Sequence, residues 1–255
     1  MNDMALLETF ELCKRFGGLT AIDHLDLAIN EGEIKGLIGP NGAGKSTFFN
    51  LVTGVLRVSS GKIEYDNKDI TKTRPNEAAK MGIGRTFQMN PLFGEFTVIE
   101  NIKAAFHLRP SSSVVDVYFN SKKYRNNEKL IAQSAEELVD FLGLTDVRGV
   151  LAKNLPHGYQ KILGVARAIA TQPKLLMLDE PLGGLNPEEI DFSLNAIKKM
   201  RDRGITILVI EHNMKVLDIL DSVAVISFGQ KIFEGNPEDM RRDTTVIDTY
   251  FGGAI

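Results

Sequence analysis

The residues with the clearest chemical meaning are the eight at positions 39 to 46, Gly-Pro-Asn-Gly-Ala-Gly-Lys-Ser, with Thr47 directly after them. A Gly, four residues and then Gly-Lys-Ser is the spacing of a loop that binds phosphate. Glycines allow positive φ, so successive backbone N–H groups can point inward at an anion. The Lys45 ammonium can reach outer phosphates, and the Ser46 hydroxyl is an oxygen ligand suited to Mg²⁺. The alternative is a glycine-rich turn that binds nothing.

The flanking sequence predicts the elements that such a loop needs. The apolar run from Ile34 to Ile38 is predicted to be a buried strand. After the loop, apolar residues recur with helical spacing at Phe48, Leu51, Val52, Val55 and Leu56. The positive end of that helix would add to anion binding. Strand, loop, lysine and helix together predict a site for a nucleoside triphosphate.

Two carboxylates follow a second apolar run. Residues 175 to 178 are Leu-Leu-Met-Leu, and Asp179 and Glu180 come directly after them. The carboxyl ends of parallel strands face the ligand crevice, so both acids are expected near the phosphates. Asp179 would hold a metal through water, and Glu180 would polarise an attacking water. The alternative is that the pair caps the following turn.

Three further side chains each have two interpretations. Phe16 lies in a β-rich stretch, residues 6 to 30, and either stacks on an adenine or packs in the core. Gln88 either places a carbonyl oxygen on a metal-bound water or begins a loop. His212 follows a predicted strand and either donates to a γ-phosphate or starts a helix. Taken alone, Gln88 and His212 favour the second interpretation.

The composition excludes several other classes of protein. The chain has 255 residues, of which 43% are hydrophobic and 25% charged, as in an ordinary globular protein. A net charge of −3 argues against nucleic acid as the main partner. The single Cys13 excludes an internal disulfide and fits a reducing compartment. No apolar run approaches the roughly 18 residues of a membrane span, and residues 1 to 7 do not resemble a signal peptide, so we expect a soluble intracellular protein.

Residues 90 to 157 differ in character and are predicted to form a mostly helical insert in the α/β core. A capping-box pattern from Thr97 to Glu100 opens one helix. A longer helix follows a polar stretch, with Gly143 at its end and one apolar stripe at Leu130, Ser134, Leu138 and Leu142. The predicted organisation is an α/β core at 1–89 and 158–235, the insert at 90–157 and a helical tail at 236–255.

These motifs, in this order, resemble the ATP-binding subunits of ABC transporters over residues 6 to 253. The resemblance implies an α/β fold with a P-loop NTPase (RecA-like) core, an N-terminal antiparallel β subdomain and an inserted α-helical subdomain. It also implies ATP and Mg²⁺ as cofactors, and ATP hydrolysis coupled to transport.

The resemblance assigns a role to each candidate residue. The implied catalytic residues are Lys45, Gln88, Glu180 and His212, and the implied metal ligands are Ser46, Gln88 and Asp179. The implied nucleotide-binding residues are Phe16, Gly39, Pro40, Asn41, Gly42, Ala43, Gly44, Lys45, Ser46, Thr47, Leu155, His157, Gly158 and Tyr159.

The loop that resembles the family's signature, usually Leu-Ser-Gly-Gly-Gln, departs from it. Leu155 and Gly158 are retained, whereas Pro156, His157 and Tyr159 replace Ser, Gly and Gln. The usual Ser hydroxyl contacts the γ-phosphate bound to the opposite subunit, and Pro156 cannot supply it. Backbone N–H groups and the helix N-terminus are left to contact that phosphate.

A narrower resemblance is to the importer ATPases for branched-chain amino acids. It is carried by Arg-Thr-Phe-Gln at 85–88, Pro-Leu-Phe at 91–93, Thr-Val-Ile-Glu-Asn at 97–101 and Gly-Leu-Asn-Pro at 184–187. It implies a second ATPase subunit, identical or paralogous, two membrane permeases and, indirectly, an extracytoplasmic substrate-binding protein. The implied location is the cytoplasm, peripheral on the inner face of the cell membrane, and no nucleic acid partner is implied.

The motifs also leave other functions possible. Urea and short-chain amide importers and the lipopolysaccharide-export ATPase are close relatives of the same branch. A soluble ABC-type mechanical ATPase acting on DNA or ribosomes is an alternative of another class, but the chain has one cassette and no long heptad run. A small-molecule kinase with a phosphate loop would not explain the signature loop or the spacing from Glu180 to His212.

Overall fold

The computed structural model describes residues 5–86, 92–107, 116, 118 and 120–251, which fall in two compact units. One unit contains residues up to 88 and from 174 onward, and the other contains residues 89 to 173.

The strands of the described residues all lie in the first unit. In chain order they are β1 (Ala5–Phe16), β2 (Leu19–Asn30), β3 (Ile34–Ile38), β4 (Ser60–Tyr65), β5 (Lys68–Asp69), β6 (Ile83–Arg85), β7 (Leu175–Asp179), β8 (Thr206–Glu211), β9 (Ser222–Ser227) and β10 (Gln230–Gly235). The helices of both units are α1 (Lys45–Val52), α2 (Pro75–Lys80), α3 (Val98–Phe106), α4 (Lys122–Phe141), α5 (His157–Ala170), α6 (Pro187–Asp202), α7 (Pro237–Met240) and α8 (Thr244–Phe251).

A six-stranded sheet of order β10-β9-β3-β8-β7-β6 organises the first unit. Its strands are parallel except for β10, which runs antiparallel to β9. Strands β3, β7 and β8 are buried at every position, as expected for parallel strands covered on both faces. Ile38 pairs with Glu211, and Ile210 pairs with Asp179. The residues that follow these three strands therefore emerge at one edge of the sheet.

A four-stranded antiparallel sheet of order β2-β1-β4-β5 completes the strand structure of the first unit. Leu25, Leu27 and Ile29 are buried while the residues between them are less so, which is the alternation expected of a half-buried strand. The predicted α/β fold with an N-terminal antiparallel β region is confirmed.

One apolar cluster in the first unit includes residues of both sheets and of α1. Phe48 and Phe49 of α1 are fully buried in the same cluster as Leu12 of β1 and Leu37 of β3. Burying each such side chain contributes about 1.5–3 kcal/mol. The helix that follows the phosphate loop is therefore fixed by its packing.

The second unit is helical, and α3 begins at the predicted capping box. The Thr97 N–H donates to Glu100 Oε2 at 2.8 Å, and the Glu100 N–H donates to Thr97 Oγ1 at 3.4 Å. The fully buried Asn101 amide donates to the Phe93 and Phe96 carbonyls and accepts from the Phe93 N–H. This side chain fixes the loop before α3.

The apolar face of α4 differs from the predicted stripe. Leu130 is 63% exposed, and the buried face consists of Ile131, Ala135, Leu138 and Val139. These positions follow the i, i+4, i+7, i+8 spacing of one helical face. The predicted stripe is right at Leu138 and Leu142, which are buried, and wrong at Leu130, which precedes the buried face by one residue. Gly143 follows the helix with φ +70°, as predicted for its end.

Helix α5 belongs to the second unit, where it contacts α3 and α4. The sequence-based boundary at residue 158 would place this helix in the α/β core. Its buried face is apolar and includes Ile162, Val165 and Ala166. An apolar face can pack in the α/β core or in the second unit, so the sequence pattern does not distinguish the two locations. None of the helices in the described part of the chain is both long enough and apolar enough to cross a membrane.

Candidate functional site

The loop between β3 and α1 has the backbone geometry that its glycines permit. Gly44 is the N-cap of α1 with φ +109°, and a Cβ there would lie 2.5 Å from the Ala21 carbonyl oxygen. A Cβ on Gly39 would lie 2.2 Å from the Ile226 carbonyl oxygen. Larger residues at either position would push the loop out of place. The first turn of α1 contains no acidic residue, so its positive end is available to an anion.

The Lys45 side chain lies over this loop. Its Nζ donates to the Gly39 carbonyl at 2.5 Å and to the Pro40 carbonyl at 2.9 Å, and the residue is buried. Burial lowers the pKa of Lys45, while the carboxylates of Glu180 and Asp179 act in the opposite direction. These two acids are therefore close enough to the ammonium to interact with it electrostatically.

Asp179 ends β7 and is held from two sides. Its Oδ2 accepts from Arg85 Nη2 at 3.0 Å, and its backbone N–H donates to Thr86 Oγ1 at 3.1 Å. Arg85 Nη1 also donates to Asn50 Oδ1 on α1 at 2.6 Å. Arg85 belongs to the motif at 85–88, but no local pattern in the sequence indicates that its partner is Asp179.

Glu180 and His212 lie close together. His212 Nδ1 is 3.9 Å from Glu180 Oε1, and the imidazole is 57% exposed. Glu180 has φ +48°, and its backbone N–H donates to the Ile210 carbonyl at 3.0 Å. The carboxylates and the histidine thus share the sheet edge on which the phosphate loop lies.

The local geometry bears on the alternative interpretations of the acidic pair and of His212. In the turn that follows the acidic pair, the Gly183 N–H donates to the backbone carbonyl of Glu180 at 3.3 Å. The next helix, α6, has Asn186 as its N-cap, whose Oδ1 accepts from the Glu189 N–H at 2.9 Å, so neither acid caps that helix. The 3₁₀ helix after His212 is Met214–Ile219, and its N-cap is Asn213. His212 therefore does not start a helix.

Two candidates of the N-terminal part of the chain remain, Phe16 and Gln88. Phe16 is 44% exposed at the end of β1, with Lys14 Nζ 4.8 Å from its ring centroid, so it is not a core residue. Gln88 lies outside the described residues.

In the second unit, Leu155 is buried and Pro156 is the N-cap of α5, so His157, Gly158 and Tyr159 form its first turn. The Gln160 N–H donates to the Pro156 carbonyl at 3.1 Å. The turn contains no acidic residue, so no carboxylate within the turn would repel an anion that binds to its N–H groups.

The donor set of the first unit fits a magnesium–nucleotide complex. Ser46 is exposed in the first turn of α1, and its hydroxyl and the Asp179 carboxylate are the oxygen ligands that Mg²⁺ prefers. The Lys45 ammonium supplies positive charge at the loop, and the two acids interact with it electrostatically.

Comparison with known proteins gives one consistent result. The profile of the ABC transporter family matches residues 22–183. The chain is 38% identical over 251 residues, 98% of both chains, to the high-affinity branched-chain amino acid transport ATP-binding protein BraF of Pseudomonas aeruginosa. The protein LivG of Escherichia coli K12, with the same description, is also 38% identical over 251 residues and 98% of both chains.

Solved structures agree with this result. The nucleotide-free form of an ATP-binding cassette from an ABC transporter is 34% identical and superposes with a TM-score of 0.84 over 98% of this chain and 100% of that one. The ADP conformation of an ATP-binding cassette gives a TM-score of 0.85 at 34% identity over 98% and 99% of the two chains. The resemblance inferred from the motifs is thus confirmed, and the chain belongs to the ABC transporter family as an ATPase subunit of the ATP-binding cassette type.

Proposed function

We propose that this chain powers the import of branched-chain amino acids by hydrolysing ATP for a pair of membrane permeases. The observation that carries the ATPase mechanism is the convergence of the phosphate loop, Asp179, Glu180 and His212 at one sheet edge. The substrate rests on relatives that are 38% identical over nearly the whole chain and are described as branched-chain amino acid transport proteins.

The phosphate loop would bind the triphosphate through residues 39 to 47. The backbone N–H groups of the loop and the N-terminus of α1 would contact the phosphates, and Phe16 would stack on the adenine. Lys45 would exchange its carbonyl partners, Gly39 and Pro40, for phosphate oxygens. That exchange replaces neutral acceptors with charged ones, which form stronger hydrogen bonds with an ammonium.

Ser46 and Asp179 would hold Mg²⁺, with Gln88 as a further oxygen donor. When bound, the ion neutralises charge that develops on the phosphates. Arg85 leaves this role open to Asp179, because a carboxylate has about four acceptor positions and the Arg85 contact is made at Oδ2.

Glu180 would orient and deprotonate the attacking water. Its carboxylate is partly buried, 23% exposed, beside His212, which would donate to the γ-phosphate. Because Glu180 and His212 are close together, Glu180 could contact the attacking water while His212 contacts the γ-phosphate that this water attacks.

The active assembly would contain two ATPase subunits arranged head to tail. Leu155, His157, Gly158 and Tyr159 of one subunit would face the γ-phosphate bound to the other, with the N–H groups of α5 in place of a serine hydroxyl. Two permeases and an extracytoplasmic binding protein would complete the transporter and place this chain on the cytoplasmic face of the membrane.

Reconstitution of the chain with its permeases and binding protein in vesicles tests the proposal. We expect ATP-dependent uptake of leucine, isoleucine and valine, and ATPase activity stimulated by these amino acids. Stimulation by urea or short-chain amides instead, or by lipopolysaccharide, would assign the subunit to a related transporter. Stimulation by DNA or ribosomes, with no effect of permeases, would contradict the transport role.

A further inference from the structure

The carboxylate of Glu211, at the end of β8, is fully buried and accepts three backbone hydrogen bonds. Its Oε1 accepts from the Leu182 N–H at 2.5 Å. Its Oε2 accepts from the N–H groups of His212 and Asn213 at 3.1 and 3.2 Å. The two oxygens of one side chain thus hold two segments that are distant in sequence.

Each of these segments carries a residue of the proposed chemistry. Leu182 lies two residues after Glu180, and the second segment begins with His212 itself. The preceding residue of β8 contributes to the same arrangement, because its Ile210 carbonyl accepts from the Glu180 N–H at 3.0 Å. The end of β8 therefore contacts both segments directly.

Glu180 has a backbone conformation that needs such support. Its φ of +48° lies in the left-handed region, which is disfavoured for residues with a side chain. A residue persists there only where its surroundings determine its conformation strongly. The Ile210 carbonyl holds the N–H of Glu180 itself, and the Glu211 carboxylate holds the N–H of Leu182, two residues later.

We infer that Glu211 is a positioning residue for ATP hydrolysis, which holds Glu180 and His212 in the mutual geometry that the reaction requires. This inference rests on the proposed function of those two residues. An alternative is that Glu211 only completes the hydrogen bonding of the strand end and affects stability alone.

The chemistry of a carboxylate explains why this position has a glutamate. An ionised carboxylate only accepts hydrogen bonds and has about four acceptor positions, so it can serve three N–H donors on two segments. A glutamine of the same shape presents an NH₂ group to one segment, where it would face an N–H donor. Glu211→Gln therefore preserves the volume while it removes the contact to one of the two segments.

The test compares Glu211→Gln with Glu234→Gln in the full-length chain. Glu234 serves as the control because it lies in β10, an edge strand of the same sheet, and contacts neither catalytic segment in the described structure. Like Glu211 it has a structural contact, an ion pair with the buried Lys35 of β3. We expect Glu211→Gln to lower kcat about 10- to 100-fold, since small misplacements of reacting groups cost this much. The affinity for ATP should stay within about threefold, because the phosphate loop is untouched.

A double-variant cycle with His212→Ala separates positioning from general destabilisation. If Glu211 acts through His212 and Glu180, the combined loss in kcat should be smaller than the product of the single losses. If Glu211→Gln does not fold at the assay temperature, Glu211→Asp keeps the charge but its shorter side chain cannot reach both segments. Glu211→Asp should likewise lower kcat while it leaves the affinity for ATP within about threefold of the wild type.

Three results would overturn the positioning role. They are a kcat for Glu211→Gln within twofold of Glu234→Gln, a loss of ATP affinity as large as the loss in kcat, and fully multiplicative losses with His212→Ala. Absence of ATP hydrolysis by the wild-type chain would instead contradict the proposed function, so the two failures are distinguishable.

Discussion

Arg85 Nη2 lies 3.0 Å from Asp179 Oδ2, and each of the two side chains is only 8% exposed. The same guanidinium donates to Asn50 on α1 and lies 5.4 Å from the centroid of the Phe49 ring. Arg85 therefore connects the strand that ends in the proposed metal ligand to the helix that follows the phosphate loop.

Arg85→Met should destabilise the first unit strongly. Removing one partner of a buried ion pair leaves the other charge buried and uncompensated, at a cost of about 3–5 kcal/mol. Urea unfolding of the full-length chain measures this loss. Lys174→Met is the control, because Lys174 pairs with Asp66 at a similar 2.9 Å but both side chains are largely exposed. A change for Arg85→Met as small as that for Lys174→Met would contradict the importance of burial.

Glu180→Gln should abolish turnover while ATP still binds. The amide keeps the shape of the side chain but cannot accept a proton, and a general base contributes about 10²- to 10⁴-fold to rate. Phosphate release and equilibrium nucleotide binding measure the two properties separately. Glu188→Gln, an exposed glutamate in the first turn of α6, should retain wild-type turnover. Hydrolysis by Glu180→Gln at the wild-type rate would show that the assigned role is wrong.

The stability of the chain should depend on pH through Glu211. Burial raises the pKa of this carboxyl above its ordinary value of 4.5, although the three backbone N–H groups act in the opposite direction. Between 4.5 and the raised pKa, the folded state keeps a proton that the unfolded state has released. The stability from this group is therefore fully present below pH 4.5 and is lost as pH rises through the folded pKa.

The Glu211→Gln variant has no titrating carboxyl at this position. Comparison with the wild type therefore isolates the contribution of Glu211 to the pH dependence of stability. The free energy of unfolding of the wild type minus that of Glu211→Gln should fall with rising pH and then level off. Urea unfolding at a series of pH values from about 4 to 8 measures the difference. A difference that increases with pH would mean that the hydrogen bonds to the ionised form outweigh burial.

Phe16→Ala should weaken ATP binding without a large loss of stability. The ring is 44% exposed, so little packing is removed, whereas base–aromatic stacking contributes about 1–3 kcal/mol. Fluorescent-nucleotide titration measures the affinity, and Phe16→Trp should retain it. Phe10→Ala is a matched control, because Phe10 is 41% exposed on the same strand. Equal affinities for the two alanine variants would exclude stacking at Phe16.

Features that depend on short spacing along the chain were predictable from the sequence. The phosphate loop, its flanking strand, the start of the following helix, the capping box at Thr97 and the acidic pair at the end of β7 are local patterns, because backbone conformation and periodicity act over a few residues. The helical pattern extended to Leu56, whereas α1 ends at Val52 and Val55 is 52% exposed. The order of these motifs along the chain was sufficient to indicate the family.

Which distant residues meet follows from the three-dimensional packing of the elements. Arg85 and Asp179 are 94 residues apart, and Glu211 and Leu182 are 29 apart, yet each pair is joined by a hydrogen bond. These contacts follow from the strand order, which places β8 beside β7 and β7 beside β6. The exposed side of Leu130 and the membership of α5 in the second unit were likewise decided by packing. Local periodicity cannot specify such features, because it identifies an element without its neighbours.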